Sequence, residues 1–456
     1  MKGGSIRKSA WARCSPELFL RRRLAVTAPL MALDTIFALS SGSAPAAISV
    51  VRVSGPSSHA AGESLAGSLP LARQAAVREL RNARGELLDE ALVLRFDGPA
   101  SSTGEDCVEL HCHGGRAVVA AVLKALGEID GLRQAQPGEF TRRAFEYGRI
   151  DLTEAEGLAD LIEAETESQR RSALMMAEGG LRKQVEQWRM RLLELSARAE
   201  AAIDYVYEDS VDADPSLSSG CGALAGELSA WLERPRAEPL REGVRVVIAG
   251  PPNAGKSSLL NALVGYERAI VTDIPGTTRD HIDVQLAFSG VPIRLTDTAG
   301  LRESGELAER IGVDRARALT ELADVLVWMG EPEVAPAHPR LIRVHARADL
   351  PGRAAGVEGS LPVSSKTGAG LADLTRAIAD LSRTVLPPEG EIALNGRQAA
   401  SLEEARDTLQ NAADTADIVI VAESLRQARS AFDRLTGQAG VEDLLDALFG
   451  RFCLGK

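Results

Sequence analysis

Long apolar runs are missing from this sequence. The longest stretch without a charge, Thr35 to Val51, has 17 residues and is interrupted by Ser40, Ser41, Gly42, Ser43 and Pro45, which makes it a poor membrane span. Cysteine is scarce: five in 456 residues, an odd count without paired spacing, which argues against a disulfide framework and fits a reducing compartment. Positive charge is in deficit, with a formal net charge of -12. The field of the whole molecule therefore offers polyphosphate no general attraction, and a nucleic-acid partner needs a local patch. Internal repeats and low-complexity tracts are also lacking. The 45% of hydrophobic and 25% of charged residues are ordinary globular values that disfavour wholesale disorder, collagen and coiled-coil repeats. At one domain per ~150 residues, the length allows about three domains.

The charge is unevenly placed. Lys2, Arg7, Lys8, Arg13, Arg21, Arg22 and Arg23 stand against Glu17 alone in residues 1–33. Two readings compete, an Arg-rich targeting segment and an upstream translated extension, the second favoured because Met31 is a plausible alternative start. Either way, residues 1–30 are expected to be disordered.

From Asp34 to about Gly148, short alternating runs such as Ile48 to Val53 and Leu92 to Phe96, with an apolar helical stretch from Ala117 to Leu126, predict an α+β domain over 31–148. The period turns helical from Asp151 to Tyr205, where Thr153 and Glu156 match a capping box and Gly179-Gly180 predicts a break. Arg234 to Gly243 reads as a linker. Between Gly243 and Leu386 strands and helices alternate: Val244 to Ala249, a helix from Lys256, a hairpin turning at Ser289-Gly290, a helix near Leu307 to Leu322, then Val325 to Trp328 and Leu341 to Val344. This is the pattern of a doubly wound, mostly parallel α/β domain. Pro387-Pro388 ends it, and Ala399 to Phe449 returns to helix. Helical sequence thus flanks the α/β unit (243–386) on both sides, which predicts that it is inserted into one helical domain formed from 149–242 and 387–456.

Gly250-Pro-Pro-Asn-Ala-Gly-Lys-Ser257 matches GxxxxGKS, follows an apolar strand and opens a helix, the context that the motif requires. Glycines let backbone N–H groups and the helix start cradle oxyanions. Lys256 brings a charge to the outer phosphates, and the Ser257 hydroxyl is placed for Mg2+. Thr296 runs into Asp297-Thr298-Ala299-Gly300, a DxxG element whose carboxylate can hold Mg2+ through water and whose Gly300 amide can sense a terminal phosphate. Between them, Asp273-Ile274-Pro275-Gly276-Thr277-Thr278-Arg279-Asp280 offers Thr277 or Thr278 to complete the metal shell from a switch loop. The plain alternative for each of these turns is a glycine turn without a ligand.

Where GTPases carry N-K-x-D, this chain reads Ala346-Arg347-Ala348-Asp349. Asp349 keeps the acceptor pair that guanine's N1–H and 2-amino group need, so GTP is favoured over ATP. Ala346 cannot make the amide contacts of the usual Asn, a cost of ~1 to 2 kcal/mol. Ser364-Ser365-Lys366 resembles the loop that backs the guanine. Leu301 stands where Ras-like GTPases place the water-orienting glutamine, so catalysis must draw on another group. Glu303, Glu306 and Glu309 are the acidic candidates, each also readable as a solvated helix charge. No arginine finger can be chosen, although Arg279 and Arg302 lie in the loops.

Further signatures do not depend on the P-loop. They are Arg52-Val-Ser-Gly55, Gly104-Glu-Asp-Cys-Val-Glu-Leu-His-Cys-His-Gly-Gly115, Pro137-Gly-Glu-Phe-Thr-Arg-Arg-Ala-Phe145 and Phe452-Cys-Leu-Gly-Lys456. With Pro252 to Ser258 and Asp273 to Asp280, they resemble the MnmE (TrmE) family of tRNA-modification GTPases from Asp34 to Lys456, nearly the full length. The resemblance implies a GTP hydrolase activated by K+, whose G domains pair across a homodimer. It places K+ at Asn253, Thr272, Ile274 and Thr277, Mg2+ at Ser257 and Thr278, and the water-orienting role on Glu309. The rest of the nucleotide site would be Ala254, Gly255, Lys256 and Ser258 with the switch, DxxG and base-loop residues above.

The resemblance also implies that the N-terminal domain holds a tetrahydrofolate one-carbon donor, 5-formyl or 5,10-methylene, through Arg52, Glu109 and Arg149, with Lys456 reaching in from the C-terminus. A carboxylate can accept from the pterin edge and basic groups can meet the folate carboxylates. Cys453 corresponds to a cysteine tied to the modification chemistry, a buried small hydrophobe being the plainer reading. The C-x3-H-C-H run of Cys107, His111, Cys112 and His113 raises zinc, but a strand puts adjacent residues on opposite faces. Two departures stand out: Ala346-Arg347 in place of Asn-Lys, and a loop Ser40 to Ala46 without the family's Gly-Arg-Gly run.

The implied partners are the flavoprotein MnmG, in a heterotetramer and carrying the FAD and NADH, and tRNA, whose wobble uridine gains a carboxymethylaminomethyl or aminomethyl group at C5. No membrane is implied. Bacterial cytoplasm is the implied setting, with mitochondria as the alternative raised by the basic leader. The rival reading is a regulatory GTPase switch in ribosome or RNA assembly without one-carbon chemistry.

Overall fold

Along Cys107–His113, Val108, Leu110 and Cys112 are buried while Glu109, His111 and His113 face a more open side; this two-residue period makes the segment a strand with one face on a core. It lies at the middle of a six-stranded sheet in a computed structural model that describes residues 34–205, 215–266, 283–297, 318–351, 353, 357–439 and 442–456. The extension 1–30 and most of the stretch from Leu307 to Leu322 lie outside the described residues. The chain divides into two compact units, one reaching to Arg149 and including Phe449–Lys456, the other Ile150–Leu448.

In the first unit the strands are β1 (Thr35–Leu39), β2 (Ile48–Ser54), β3 (Ala75–Arg81), β4 (Leu87–Phe96), β5 (Cys107–His113) and β6 (Leu132–Gln134), ordered β3-β4-β5-β2-β1-β6. All neighbours are antiparallel except β1 and β6. Helices α1 (Ser58–Ala66) and α2 (Arg116–Gly127) bury Ala61, Leu65, Val122 and Leu126 against Val51, Val53, Val108 and Leu110 on one face. On the other, Phe140 of α3 (Glu139–Glu146) packs on Ile36 and Ala38. The expected second helical half, 387–456, overlaps this unit at its end. A Cβ on Gly138 would meet the Phe449 carbonyl at 2.2 Å, and one on Gly455 the Leu39 carbonyl at 2.0 Å, so the terminal residues lie flat on β1 and α3 only because both positions are glycine.

The second unit has α4 (Leu152–Glu163), α5 (Glu167–Ala177), α6 (Gly180–Tyr205), α7 (Pro215–Leu232) and α8 (Glu238–Glu242), then β7 (Val244–Ala249), α9 (Lys256–Tyr266), β8 (Asp283–Phe288), β9 (Val291–Asp297), β10 (Val325–Trp328), β11 (Leu341–Ala346), β12 (Leu361–Val363) and α10 (Leu371–Arg383), and ends with α11 (Gly396–Asp414), α12 (Ile418–Thr436) and α13 (Glu442–Phe449). The sheet runs β12-β11-β10-β7-β9-β8, parallel except for the β8–β9 hairpin. That hairpin turns at Ser289 and Gly290, with φ of 50 and 78, the left-handed pair that a two-residue turn favours. Residues on both sides of this α/β segment share one helical core: Trp188 and Leu224 from the first side, Leu402 and Phe432 from the second. Trp188 stacks on Phe432 at 6.0 Å and meets the Trp231 edge at 5.2 Å. Among the described residues no helix is long and apolar enough to cross a membrane.

One local expectation needs correction and two gain detail. The capping box of α4 is formed by Asp151 and Glu154, not Thr153 and Glu156. Asp151 accepts from the Glu154 amide at 2.9 Å, the Thr153 hydroxyl is spent on the Asp151 carboxylate at 2.7 Å, and Glu156 makes a two-pronged pair with Arg397 at 2.8 Å. The linker from Arg234 contains the short helix α8. The helical run from Ala399 is three helices, since Asp417 caps a new start by accepting from the Val419 and Ile420 amides. Gly179, at φ 77 just after α5, makes the predicted break.

Candidate functional site

Strand β7 ends at the middle of the sheet, between β10 and β9, and delivers the chain into the GxxxxGKS loop. Gly250 turns it at φ 153, where a Cβ would lie 3.1 Å from Met329, and Asn253 holds a left-handed φ of 61. Helix α9 opens at Lys256, which is buried and donates its ammonium to the carbonyls of Gly250 and Pro251, both at 3.0 Å. The charge thus curls over the loop on which phosphate oxygens would rest. Ile248 pairs with Asp297 across β7 and β9, and this register brings the buried Asp297 carboxylate to 2.6 Å from the Ser257 hydroxyl, which donates to it. A hydroxyl and a carboxylate oxygen, side by side below an anion cradle, are the hard donors that Mg2+ takes together with substrate phosphates. Ala254 packs on the sheet core and Ser258 is exposed on α9.

Beyond β11, the Ser364 hydroxyl donates to Asp349 at 2.7 Å, while the Lys366 and Thr367 amides donate to the same Ser364 oxygen. That hydroxyl, with the local backbone, holds the Asp349 carboxyl below its ordinary value, so it is an ionised acceptor at neutral pH. Ser365 lies in the same turn, half-buried. Arg347, read from sequence only as a departure, has φ 60 and donates Nη2 to the Asn253 carbonyl at 2.8 Å. It ties the loop after β11 to the loop after β7. A basic residue two positions before Asp349 was the available signal. Thr272, Asp273, Ile274, Pro275, Gly276, Thr277, Thr278, Thr298, Ala299, Gly300 and Glu309 lie outside the described residues, and so, apart from Asn253, do the expected K+ positions.

In the first unit, Arg52 and Glu109 are directly opposite on β2 and β5, and the guanidinium donates to the carboxylate at 2.9 to 3.0 Å. His111 lies 3.3 Å from the other Glu109 oxygen, and the Arg52 guanidinium sits 5.6 Å from the Phe140 ring. Arg149 and Lys456 are placed by other neighbours: the Arg149 stem backs onto Gly104, and Lys456 closes a turn by donating its amide to Cys453. Cys453 is exposed. Cys107, His111, Cys112 and His113 do not converge as a metal set. Burial pushes the Cys107 and Cys112 thiols up to about 12, and His113 contacts Asp89 at 2.8 Å. Sequence reading assigned no role to Glu105 and Arg143, which are buried and paired here.

The chain matches the family model described as GTP-binding protein TrmE N-terminus over residues 35–149 and that of the MnmE helical domain over 152–453. It is 54% identical over 426 residues to the tRNA modification GTPase MnmE of Erythrobacter litoralis (strain HTCC2594), covering 93% of this chain and 100% of that protein. Against the protein of the same name from Novosphingobium aromaticivorans it is 53% identical over 436 residues, with 93% and 100% covered. Among solved structures, the G domain of the T. maritima FeoB iron transporter is similar at 26% identity, covering 30% of this chain and 98% of that one, with a TM-score of 0.23, too low to bear on the fold. Two matched models that together span nearly the whole chain, and relatives more than half identical along their full length, show that the chain belongs to the MnmE family of tRNA modification GTPases.

Proposed function

We propose that this chain is a GTP hydrolase that acts in the modification of the tRNA wobble uridine. The observation that carries the hydrolase reading is the Ser257–Asp297 pair at 2.6 Å beneath the phosphate loop. Backbone N–H groups from Gly250 to Ser257 and the start of α9 would bind the phosphates, Lys256 would neutralise the outer ones, and Asp349 would accept from guanine. Mg2+, held by Ser257 and Thr278, supplies charge neutralisation on the phosphates when bound. K+ at Asn253, Thr272, Ile274 and Thr277 would take the place of an arginine finger, and Glu309 would orient the attacking water. The role in tRNA modification is supported by the family.

The finer reading goes further. The Arg52–Glu109 pair on the open face of the first unit would bind a tetrahydrofolate donor, 5-formyl or 5,10-methylene, with Arg149 and Lys456 meeting its carboxylates and Cys453 near the chemistry. A homodimer working with MnmG, which brings FAD and NADH, would build the carboxymethylaminomethyl or aminomethyl group at C5 in the bacterial cytoplasm. Hydrolysis would drive association and release of the G domains rather than bond formation.

Titration with 5-formyltetrahydrofolate tests this reading. Saturable binding that is lost in an Arg52→Ala, Glu109→Ala variant is expected. No binding by the unmodified chain would leave a regulatory GTPase without one-carbon chemistry. In parallel, Glu309→Ala should bind GTP yet turn it over far more slowly in K+; unchanged turnover removes Glu309 from its role.

A further inference from the structure

Glu105 is a carboxylate buried in the first unit, with its side chain 5% exposed, just ahead of β5. It joins three elements. From the end of β2, the Ser54 hydroxyl donates to it at 2.9 Å and also contacts Thr103 at 2.7 Å. From α3, Arg143 donates Nη1 to both its oxygens at 3.2 Å. From the turn after α3, the Tyr147 hydroxyl donates at 3.1 Å.

The same Arg143 reaches Asp34 at 2.9 Å and Glu139 at 3.2 Å, with its own side chain 3% exposed. Burial would pull the guanidinium's affinity for its proton down, and Glu105 with Glu139 more than offsets this. Tyr147 is pushed up by burial and by Glu105, so its hydroxyl stays a donor. Glycine at position 104 is required by φ +89, and a Cβ there would lie 2.8 Å from Tyr147 Cβ and 3.2 Å from Arg149 Cγ. The backbone beside Glu105 is therefore the surface on which the stem of Arg149 rests. The Arg149 amide meanwhile donates to the Ala144 carbonyl at 2.8 Å.

The strands that carry Arg52 and Glu109, and the turn that carries Arg149, are thus all fastened to one carboxylate that hydrogen-bonds to none of these three. We propose that Glu105 is a positioning residue for folate binding: it clamps Tyr147 and Arg143 so that Arg149 stands at a fixed place relative to the Arg52–Glu109 pair. This rests on the folate reading above and adds to it a group that holds the site without meeting the ligand.

The test uses the full chain and 5-formyltetrahydrofolate, with GTP turnover as the internal control. Glu105→Gln keeps the shape and removes the charge. It should weaken folate binding by about tenfold, as losing a charged hydrogen bond does, while GTP turnover holds. Tyr147→Phe deletes a single bond and gives a milder variant, expected to lose about threefold, should Glu105→Gln fold poorly.

The decisive comparison is made in an Arg149→Ala background. If Glu105 acts through Arg149, Glu105→Gln and Tyr147→Phe cost little further affinity there, whereas a role in general stability adds in full. Additive losses, or folate affinity unchanged in both variants, overturn the proposal alone. No folate binding by the unmodified chain overturns the proposal together with the reading on which it rests.

Discussion

Asp349→Asn should separate the proposed guanine recognition from the work of the phosphate loop. One carboxylate oxygen already accepts from Ser364 at 2.7 Å, which aims the group, and guanine brings two donors, N1–H and the 2-amino group. A hydrogen bond to a charged group is worth about 1.5–3 kcal/mol. The amide keeps one acceptor but turns its other end into a donor facing a donor, so one bond is lost and a polar clash is added. A loss of roughly 10²- to 10³-fold in GDP affinity follows.

Xanthine carries a carbonyl where guanine carries the 2-amino group, and the same amide donates to it. XDP should therefore gain what GDP loses. Displacement of a fluescently labelled nucleotide by GDP and by XDP, in Mg2+ and K+, reads both. Because the Ser257–Asp297 pair lies at the other end of the site, bound XTP should still be hydrolysed. A GDP loss below tenfold, or no gain for XDP, refutes the assignment of Asp349 as the base reader.

Two further outcomes follow from the first unit and the cysteines. With burial pushing Cys107 and Cys112 up to about 12 and Cys453 exposed, maleimide at neutral pH should label Cys453 well before the other two, read by peptide mass spectrometry; prompt labelling of Cys107 contradicts the packing. Burial alone would raise the Asp34 and Glu139 carboxyls, but hydrogen bonds from Arg133 and the nearby Arg143 hold both below their ordinary 3.8 and 4.5. Ionisation thus stabilises the folded unit above about pH 4.5, and that contribution is lost as pH falls through the lowered values. Protection of peptides from 34–149, taken as exchange relative to the acid-slowed intrinsic rate, should fall below about pH 4.5, and less steeply in Asp34→Asn; an identical acid profile in the variant denies the network this role.

The parts of the molecule legible in sequence are those in which one physical cause acts over a short span. Val244–Ala249 and Val325–Trp328 have the predicted ends because a parallel strand buried on both faces reads as an unbroken apolar run. The phosphate loop is legible because glycine, lysine and serine must each stand at a fixed offset to meet an anion. The α4 cap was misread because two patterns overlap: Asp151 and Glu154 satisfy the same four-residue rule as Thr153 and Glu156. What decided between them was distant, since Glu156 is held by Arg397, 241 positions away. A local rule cannot see that competitor.

Charged residues make the same point more strongly. In a helix such as Glu139–Glu146, with two Glu and two Arg among eight residues, the default for each charge is a solvated face, and Arg142 follows it. Arg143, the next residue, is turned inward because the helical step of about 100° carries it round to the packed side, where Asp34, 109 positions earlier, and Glu105, 38 earlier, await it. Nothing in the helix alone distinguishes the two arginines. Pairing across those distances can be afforded only where several partners share one buried cation, since an isolated buried charge would cost several kcal/mol. A removed partner therefore disturbs more than its own contact, and it is on the position of Arg149, not on the nucleotide site, that the loss of Glu105 should register.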